Sequence, residues 1–147
     1  MNMPMNIKGE KHPEDREPRV RDLTEEESWQ ILSAARLARF VTVDEGEIDI
    51  TPLNIFAADG RIYFRTAPGN KLTKLQLNPN VALETDKIEG AVAHSVVVRG
   101  SARLLTDPDE TDRVASLPLS PWVHTDKLDF VEITPERITG RRFRLGD

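Results

Sequence analysis

The sequence predicts a mainly β protein, a small antiparallel β-barrel with short helices at its ends. About six or seven runs of apolar and β-branched residues are separated by short turn-forming segments, as in hairpin-connected strands. About two or three segments have helical spacing, and each of them is short. At 147 residues the chain is long enough for one domain with a substantial core.

Composition excludes several classes of function. The chain carries 25 acidic and 20 basic residues, so its net charge of −5 does not favour a nucleic-acid partner. It has no cysteine, and His12, His94 and His124 have no metal-ligand spacing, so we predict no metal site. Since there is no apolar run of membrane-spanning length and no signal-peptide pattern, we expect a soluble, cytoplasmic protein without a membrane partner.

The first 22 residues differ from the rest of the chain. They contain Pro4, Pro13 and Pro18, many charges and almost nothing apolar after Ile7. Such a segment cannot bury enough surface to offset its ordering entropy. We therefore predict a disordered charged tail over residues 1–22 and one domain over residues 23–147.

The domain is predicted to begin with a short helix. Thr24 and Glu27 have the spacing of a capping box, in which each side chain bonds the backbone N–H of the other. Trp29 and Leu32 follow on one side of this helix. We expect the helix to cover one end of the barrel.

Two turn sequences then predict hairpins. Residues 37–44 have a strand pattern that is followed by a turn at Glu45-Gly46-Glu47, and Ala58-Asp59-Gly60 separates two further apolar runs. Asp and Gly accept the turn dihedral angles that close antiparallel strands. Neighbouring strands are therefore expected on both sides of each turn.

The strand between these turns changes phase. Ile48 and Ile50 alternate in one phase, whereas Leu53 and Ile55 lie in the other, after Pro52. A regular strand keeps one phase, and proline cannot donate a ladder hydrogen bond. We therefore predict a β-bulge over residues 51–54 that leaves backbone groups available to a ligand.

A candidate phosphate site follows the next strand. That strand reaches Thr66, and Gly69, Asn70 and Lys71 then precede a short helix. Lysine in the first turn of a helix is electrostatically unfavourable unless an anion binds there. The helix N–H groups, the Lys71 ammonium and the Thr66 hydroxyl could together bind one phosphate. The alternative is a solvated lysine on an ordinary helix.

The second half of the chain is predicted to contain further strands. Asn78-Pro79 ends the short helix, and a strand over residues 81–86 and a loop over residues 87–93 follow. The strongest strand pattern covers residues 94–104, with one apolar face and one face polar enough for a ligand, a partner subunit or water. A short helix is expected over residues 107–116. The last pair of strands is expected over residues 128–134 and 138–145.

The order of several segments resembles a known family. TPLN, IYFRTAPGNK, NPNVALETD, SVVVRGSARLL and ITGRRF follow one another over residues 23–143. In this order they resemble the pyridoxamine 5′-phosphate oxidase-like family, the FMN-binding split β-barrels. The resemblance implies a homodimer with FMN at the subunit interface. It also implies an oxidoreductase that acts on a small molecule, with NAD(P)H as a candidate electron donor.

The resemblance also implies the residues of the flavin site, although it assigns no catalytic residue. One strand segment would lie along the isoalloxazine ring, and the following turn would hold the phosphate. A later strand would approach the pyrimidine edge or the ribityl chain, and the second subunit would close the site. The implied residues are Thr51, Pro52, Leu53 and Asn54 at the ring; Phe64, Thr66, Gly69, Asn70 and Lys71 at the phosphate end; Ser95 and Val96 on the later strand; and Trp122 with Arg141 or Arg142 from the second subunit.

The sequence departs from the family in two places. Lys71 is the one basic residue of the phosphate turn, and the closing Arg-x-His of the vitamin-making oxidase has no counterpart. Pyridoxal chemistry is therefore not expected. An alternative cofactor is the deazaflavin F420, whose long tail would suit a groove formed by Arg99, Arg103, Arg141 and Arg142. A further alternative is a dimeric module that binds flavin or another small anion without turnover.

Overall fold

The fold is a partly open antiparallel barrel, which confirms the predicted fold class. The computed structural model describes residues 19–66, 75–117 and 129–146. In these residues one curled sheet contains eight strands, and two α-helices of at least eight residues accompany it. The strands are β1 (Val20–Asp22), β2 (Leu37–Asp44), β3 (Glu47–Asn54), β4 (Phe56–Ala58), β5 (Arg61–Thr66), β6 (Asn80–Glu89), β7 (Val92–Leu104) and β8 (Asp129–Arg144); the helices are α1 (Glu25–Ala34) and α2 (Pro108–Ala115), and residues 75–77 are also helical.

Both predicted hairpin turns are present. Glu45 and Gly46 join β2 to β3, and Asp59 and Gly60 join β4 to β5; all four residues have positive φ. Two successive residues with positive φ are the signature of the type I′ turn, whose twist matches that of the strands. Local sequence therefore fixes these two hairpins.

The sheet closes on itself at a single residue. The strand order is β3-β2-β6-β7-β8-β5-β4, with β1 added beside β8. The two ends of this order, β3 and β4, are consecutive in the chain, with Ile55 between them. Ile55 is buried, and its N–H donates to the Arg36 carbonyl over 3.0 Å. Next to this junction β3 and β5 approach each other without a ladder between the described residues, and we call this gap the split.

The expected last pair of strands is wrong, because β8 is one strand of 16 residues. Its pairing with β7 shifts register between Arg99 and Gly100, which face Arg137 and Pro135. The irregularity accommodates a proline within the sheet, where it could not donate a ladder bond. Gly100 is required there, because a Cβ atom would lie 2.1 Å from the Thr134 carbonyl oxygen.

The expected loop over residues 87–93 is also wrong. β6 continues to Glu89 and β7 starts at Val92, so that Gly90, with φ of 60°, and Ala91 form a tight turn. The stretch contains the charged residues Lys87 and Glu89. They are compatible with a strand because Lys87 and Glu89 are exposed and form an ion pair of 2.6 Å.

The sheet includes residues that precede the predicted domain boundary at residue 23. Val20–Asp22 form β1 and pair with residues 141–143 of β8. Residues 1–18, where most of the expected tail lies, are outside the described residues. The last three residues assigned to the tail are therefore part of the sheet.

Helix α1 has the predicted cap. The Glu27 N–H donates to the Thr24 hydroxyl over 3.1 Å, and the Thr24 N–H donates to the Glu27 carboxylate over 2.9 Å. Leu32 is fully buried and Trp29 packs beside it against the core. The helix therefore covers the barrel core, as the sequence predicts.

The core lies inside the curled sheet. The Phe40 and Phe64 rings are in contact, with centroids 4.8 Å apart, and Val96 and Val98 of β7 are fully buried beside them. The predicted inner face of β7 is therefore confirmed. None of the helices in the described part of the chain has the length and apolar character needed to cross a bilayer.

Candidate functional site

The predicted bulge in β3 is wrong. β3 pairs with β2 in one unbroken antiparallel register along its whole length. Ile48 and Ile50 lie on the outer face of the sheet and are 64% and 65% exposed, whereas Leu53 packs against the core. The phase change therefore reflects a change in which face is apolar, with no change of register.

The backbone of β3 nevertheless has unpaired groups, for another reason. β3 is the first strand of the sheet order and has a ladder only with β2 among the described residues. In an antiparallel edge strand about half of the N–H and C=O groups point away from the neighbouring strand. Pro52 is compatible with such an edge, since proline lacks an N–H. The free edge of Thr51, Leu53 and their neighbours borders the split.

The phosphate end of the expected site is described in part. Thr66 is the last residue of β5, is partly exposed and lies where β5 borders the split. Phe64 is buried against Phe40, so its side chain belongs to the core and its contribution is to position β5. The three remaining residues of the phosphate end, Gly69, Asn70 and Lys71, lie outside the described residues, and so does Trp122 of the closing segment.

A cleft lies on the outer face of β7 and β8, beside β1. Its volume is about 640 Å³. Ser95 and Arg141, both expected at the flavin, face each other in the β7–β8 register and line it. Val96 directly follows Ser95 on β7 but is fully buried, so its side chain cannot reach the cleft. The residues that line this cleft, which we call the arginine cleft, are Arg19, Val20, Ser95, Val97, Arg99, Thr139, Arg141, Phe143 and Arg144.

The arginine cleft is strongly cationic in an acidic protein. Among the described residues that line it are four arginines and no carboxylate, although the net charge of the chain is −5. Within the described residues Arg19, Arg99 and Arg141 form no ion pair with a carboxylate. Arg39, by contrast, bonds Glu84 over 2.7 Å. Unpaired guanidinium groups in a cleft provide charge-assisted hydrogen bonds for an anion.

The split and the arginine cleft are separate within one chain. β2 and β6 lie between β3 and β7 in the sheet. At a strand spacing of about 4.8 Å, the β3 edge and Ser95 are therefore about 14 Å apart across the sheet. The structure thus groups Thr51–Asn54 with Thr66, and groups Ser95 with Arg141, but it does not bring the two groups together.

The surface between these two places is partly apolar. β2 and β3 present exposed apolar side chains on the outer face, and Val43 lies opposite Ile48 in their register. Exposed apolar side chains that neighbour one another on a sheet surface are typical of an interaction surface. We define the apolar patch as Leu37, Val43, Ile48 and Ile50.

A buried polar cluster lies under α2 and was not predicted. Glu132 is buried in β8, where it accepts hydrogen bonds from the Tyr63 hydroxyl over 3.1 Å and from Arg103 Nε over 3.0 Å. Arg113 of α2 lies 3.9 Å from the same carboxylate, and burial raises the pKa of Tyr63. In the sequence, the signal for this cluster was Glu132, an acidic residue within the apolar strand pattern of residues 128–134. The cluster joins α2 to the sheet.

The comparisons with known proteins agree with this architecture. The family model described as pyridoxamine 5′-phosphate oxidase matches residues 24–142. The chain is 40% identical to a candidate pyridoxamine 5′-phosphate oxidase from Corynebacterium glutamicum, with a TM-score of 0.81 over 89% of this chain and 98% of that chain.

Two further solved structures are similar over nearly their whole length. A FAD-binding protein from Mycobacterium smegmatis is 36% identical, with a TM-score of 0.76 over 86% of this chain and 100% of that chain. A FAD-binding protein from Mesorhizobium loti is 26% identical, with a TM-score of 0.73 over 84% of this chain and 97% of that chain. Since the family model spans most of the chain and the curled sheet is shared, this chain belongs to the pyridoxamine 5′-phosphate oxidase family.

Proposed function

We propose that this protein is a flavin-dependent oxidoreductase that holds FMN at the split and acts on a small-molecule substrate. The observation that carries the proposal is the backbone edge of β3 beside Thr66, at the place where the described residues form no ladder. This edge provides both donors and acceptors, which the polar rim of an isoalloxazine ring requires. The similar proteins named as FAD-binding support a flavin as the bound group.

The residues present fit a flavin phosphate at one end and a ring at the other. The β3 backbone from Thr51 to Asn54 would bond the ring edge, and Thr66 with Lys71 would bind the phosphate. Bound flavin would supply the electron-transfer chemistry, as cofactors do in such enzymes. The role of this chain is then to bind the cofactor, orient its ring and exclude water.

We also propose that the protein works as a homodimer that pairs through the apolar patch. Ile50 lies on the outer face between the two halves of the expected site. A two-fold axis near β2 and β6 would place the β3 edge of one chain against β7 and β8 of the other. The pairing would bury the patch and bring Ser95 and Arg141 of one chain towards the split of its partner.

The deazaflavin F420 is the second candidate cofactor, and the arginine cleft favours it. Arg99 and Arg141 line the cleft and could bind an acidic tail. Arg103, which was expected to join them, instead bonds Glu132 and Glu110, and Arg142 has a partner of its own. A non-catalytic flavin-binding module is the remaining alternative.

The cofactor itself provides the first test. The purified chain is expected to be yellow, to release FMN on denaturation and to lose its flavin absorbance when NADPH or NADH is added. Chromatography and mass spectrometry of the released molecule would separate FMN from FAD and F420. A colourless protein that does not take up FMN in titration would refute the proposal, and flavin that no reductant bleaches would favour the non-catalytic module.

Two variants test the placement of the flavin. Thr66→Val keeps the side-chain shape but removes the hydroxyl, and it should weaken FMN binding by about 1 kcal/mol. Lys71→Ala should weaken it by about 1–3 kcal/mol, the scale of a charge-assisted contact. Thr106→Val is the matched control, because Thr106 is exposed and follows the end of β7, with β8 between it and β5. Equal FMN affinity in all three variants would remove Thr66 and Lys71 from the site.

A further variant tests the homodimer. Ile50→Glu should convert the dimer to a folded monomer, because it places a charge in the centre of an apolar contact. Thr106→Glu adds the same charge at an exposed position outside the patch and should remain dimeric. Sedimentation would report the mass and circular dichroism the fold. A monomeric wild-type protein would contradict the proposal.

A further inference from the structure

We infer that the arginine cleft binds the adenosine diphosphate moiety of a dinucleotide. This inference deepens the proposed function and rests on it, because such a moiety would belong either to FAD or to the NADPH that reduces a flavin. The shared chemistry is a purine, a ribose and a diphosphate. The cleft contains suitable groups for each of these three parts.

The size and lining of the cleft suit a nucleotide better than a free inorganic ion. Its volume of about 640 Å³ lies within the range of about 300–1,000 Å³ for small-molecule sites. Val20, Val97 and Phe143 provide apolar surface, and the Phe143 ring could stack on a purine. Ser95 and Thr139 provide hydroxyl groups for a ribose. A lone phosphate would leave most of this surface without a partner.

The charges are distributed along the cleft, which favours an elongated anion. Arg99 is four residues from Ser95 on β7, and Ser95 faces Arg141. At about 3.3 Å per residue the two arginines are about 13 Å apart along the strands. Arg19 and Arg144 lie further along, where the Arg144 N–H donates to the Arg19 carbonyl over 3.1 Å. Guanidinium groups bind phosphates in a bidentate manner and also stack on planar rings, so both ends of the ligand have partners.

Three of the cleft arginines, Arg19, Arg99 and Arg141, form no ion pair with a carboxylate of the described residues. Asp22 is opposite Arg141 in the β1–β8 register, but the two side chains form no ion pair within the described residues. The chain as a whole is acidic, with a net charge of −5, which does not suit a long nucleic acid. A compact anion of about the length of the cleft is therefore the fitting occupant.

Titration calorimetry with ADP tests the inference on the full-length protein. Wild-type protein should bind ADP more tightly than AMP, and AMP more tightly than adenosine. Arg99→Gln and Arg141→Gln should each weaken ADP binding about tenfold or more, the loss expected for a charge-assisted contact. Arg61→Gln is the matched control, since it removes the same charge from an exposed arginine bonded to the Gly60 carbonyl; its ADP affinity should remain unchanged.

Two further binding comparisons distinguish FAD from NADPH as the source of the adenosine diphosphate moiety. If it belongs to FAD, the protein should bind FAD more tightly than FMN, and the Arg141→Gln variant should lose that difference. If it belongs to the reductant, ADP and NADPH should compete with each other while FMN stays bound. Either result supports the inference.

Two results would overturn it. One is wild-type protein that does not bind ADP, and the other is equal weakening in the Arg61→Gln control, which would indicate unspecific attraction. Failure of the proposed flavin function is distinguishable, because ADP contains no redox ring. A protein that binds ADP through Arg141 but takes up no flavin would refute the flavin function alone. A protein that binds FMN at Thr66 but no ADP would refute the cleft alone.

Discussion

The hydroxyl of Tyr63 is expected to stabilise the fold through Glu132. Tyr63 is 2% exposed and its O–H donates to the buried Glu132 carboxylate over 3.1 Å. Tyr63→Phe removes this donor and keeps the ring that packs against Phe130 and Val114. Glu132 would keep Arg103 as a donor at 3.0 Å, so the carboxylate would not be left unpaired.

The magnitude follows from the type of hydrogen bond. A hydrogen bond to a charged group contributes about 1.5–3 kcal/mol, and the remaining arginine contact places the expected loss near 2 kcal/mol. With a urea dependence of about 2 kcal/mol per molar, the midpoint of unfolding should fall by about 1 M. Urea unfolding at neutral pH, followed by tryptophan fluorescence, measures this midpoint.

An exposed member of the same cluster serves as the control. Glu110 bonds Arg103 at the surface, where solvent screens the interaction, so Glu110→Gln should change the midpoint less than Tyr63→Phe. The reasoning would be refuted if Tyr63→Phe unfolded at the wild-type urea concentration. It would also be refuted if the Glu110 variant were destabilised as much.

The remaining predictions concern acid stability and close packing. The Arg21 side chain and the Thr24 backbone lower the pKa of Glu27 from 4.5 to about 2, so the unfolded chain takes up the proton first and stability should fall as the pH drops through this range. Glu27→Gln should flatten this part of a curve of unfolding free energy against pH, and parallel curves would contradict the assignment. Gly100→Ala should lower the melting temperature, at a cost of about 1–3 kcal/mol or more, because its Cβ would lie 2.1 Å from the Thr134 carbonyl oxygen. Gly146→Ala has open space and should melt with the wild type, so equal melting of both variants would disprove the close contact.

The features that short-range chemistry controls could be predicted from the sequence. The capping box of Thr24 and Glu27 and the turn at Asp59-Gly60 depend on residues within four positions of each other. The start of α2 at Asp107-Pro108 is equally local, and it is confirmed by the Asp107 cap. Each of these is decided before distant parts of the chain meet.

The errors arose where a distant strand decides the structure. The phase change after Ile50 was interpreted as a bulge, but the outer face of β3 is apolar, and this cannot be read from one strand alone. The true irregularity is at Gly100, where the pairing with Pro135 creates it. Charged residues at 87–89 remain in a strand because β7 pairs with them through a tight turn.

In the candidate site, too, some residues could be predicted from local sequence and others depend on distant strands. Ser95 and Arg141 were expected and face each other across β7 and β8, since alternation and the family order both place them on the outer face. Arg19 was not expected, because it lies in the segment assigned to the tail and reaches the cleft through a strand pairing more than a hundred residues away. Phe64 was assigned to the site but lies in the core, since its alternation in β5 is also that of a buried face.

The junction at Ile55 has a consequence for ligand selection. One residue connects the first and last strands of the sheet order, so the chain has no slack with which to move β3 away from β5. Covalent geometry at Ile55 therefore limits the width of the split between β3 and β5. Relatives with this junction would have to tune their choice of ligand by exchanging side chains along the rim. An extra residue inserted beside Ile55 is expected to let β3 move away from β5. An extra residue in the exposed Glu45-Gly46 turn should be tolerated.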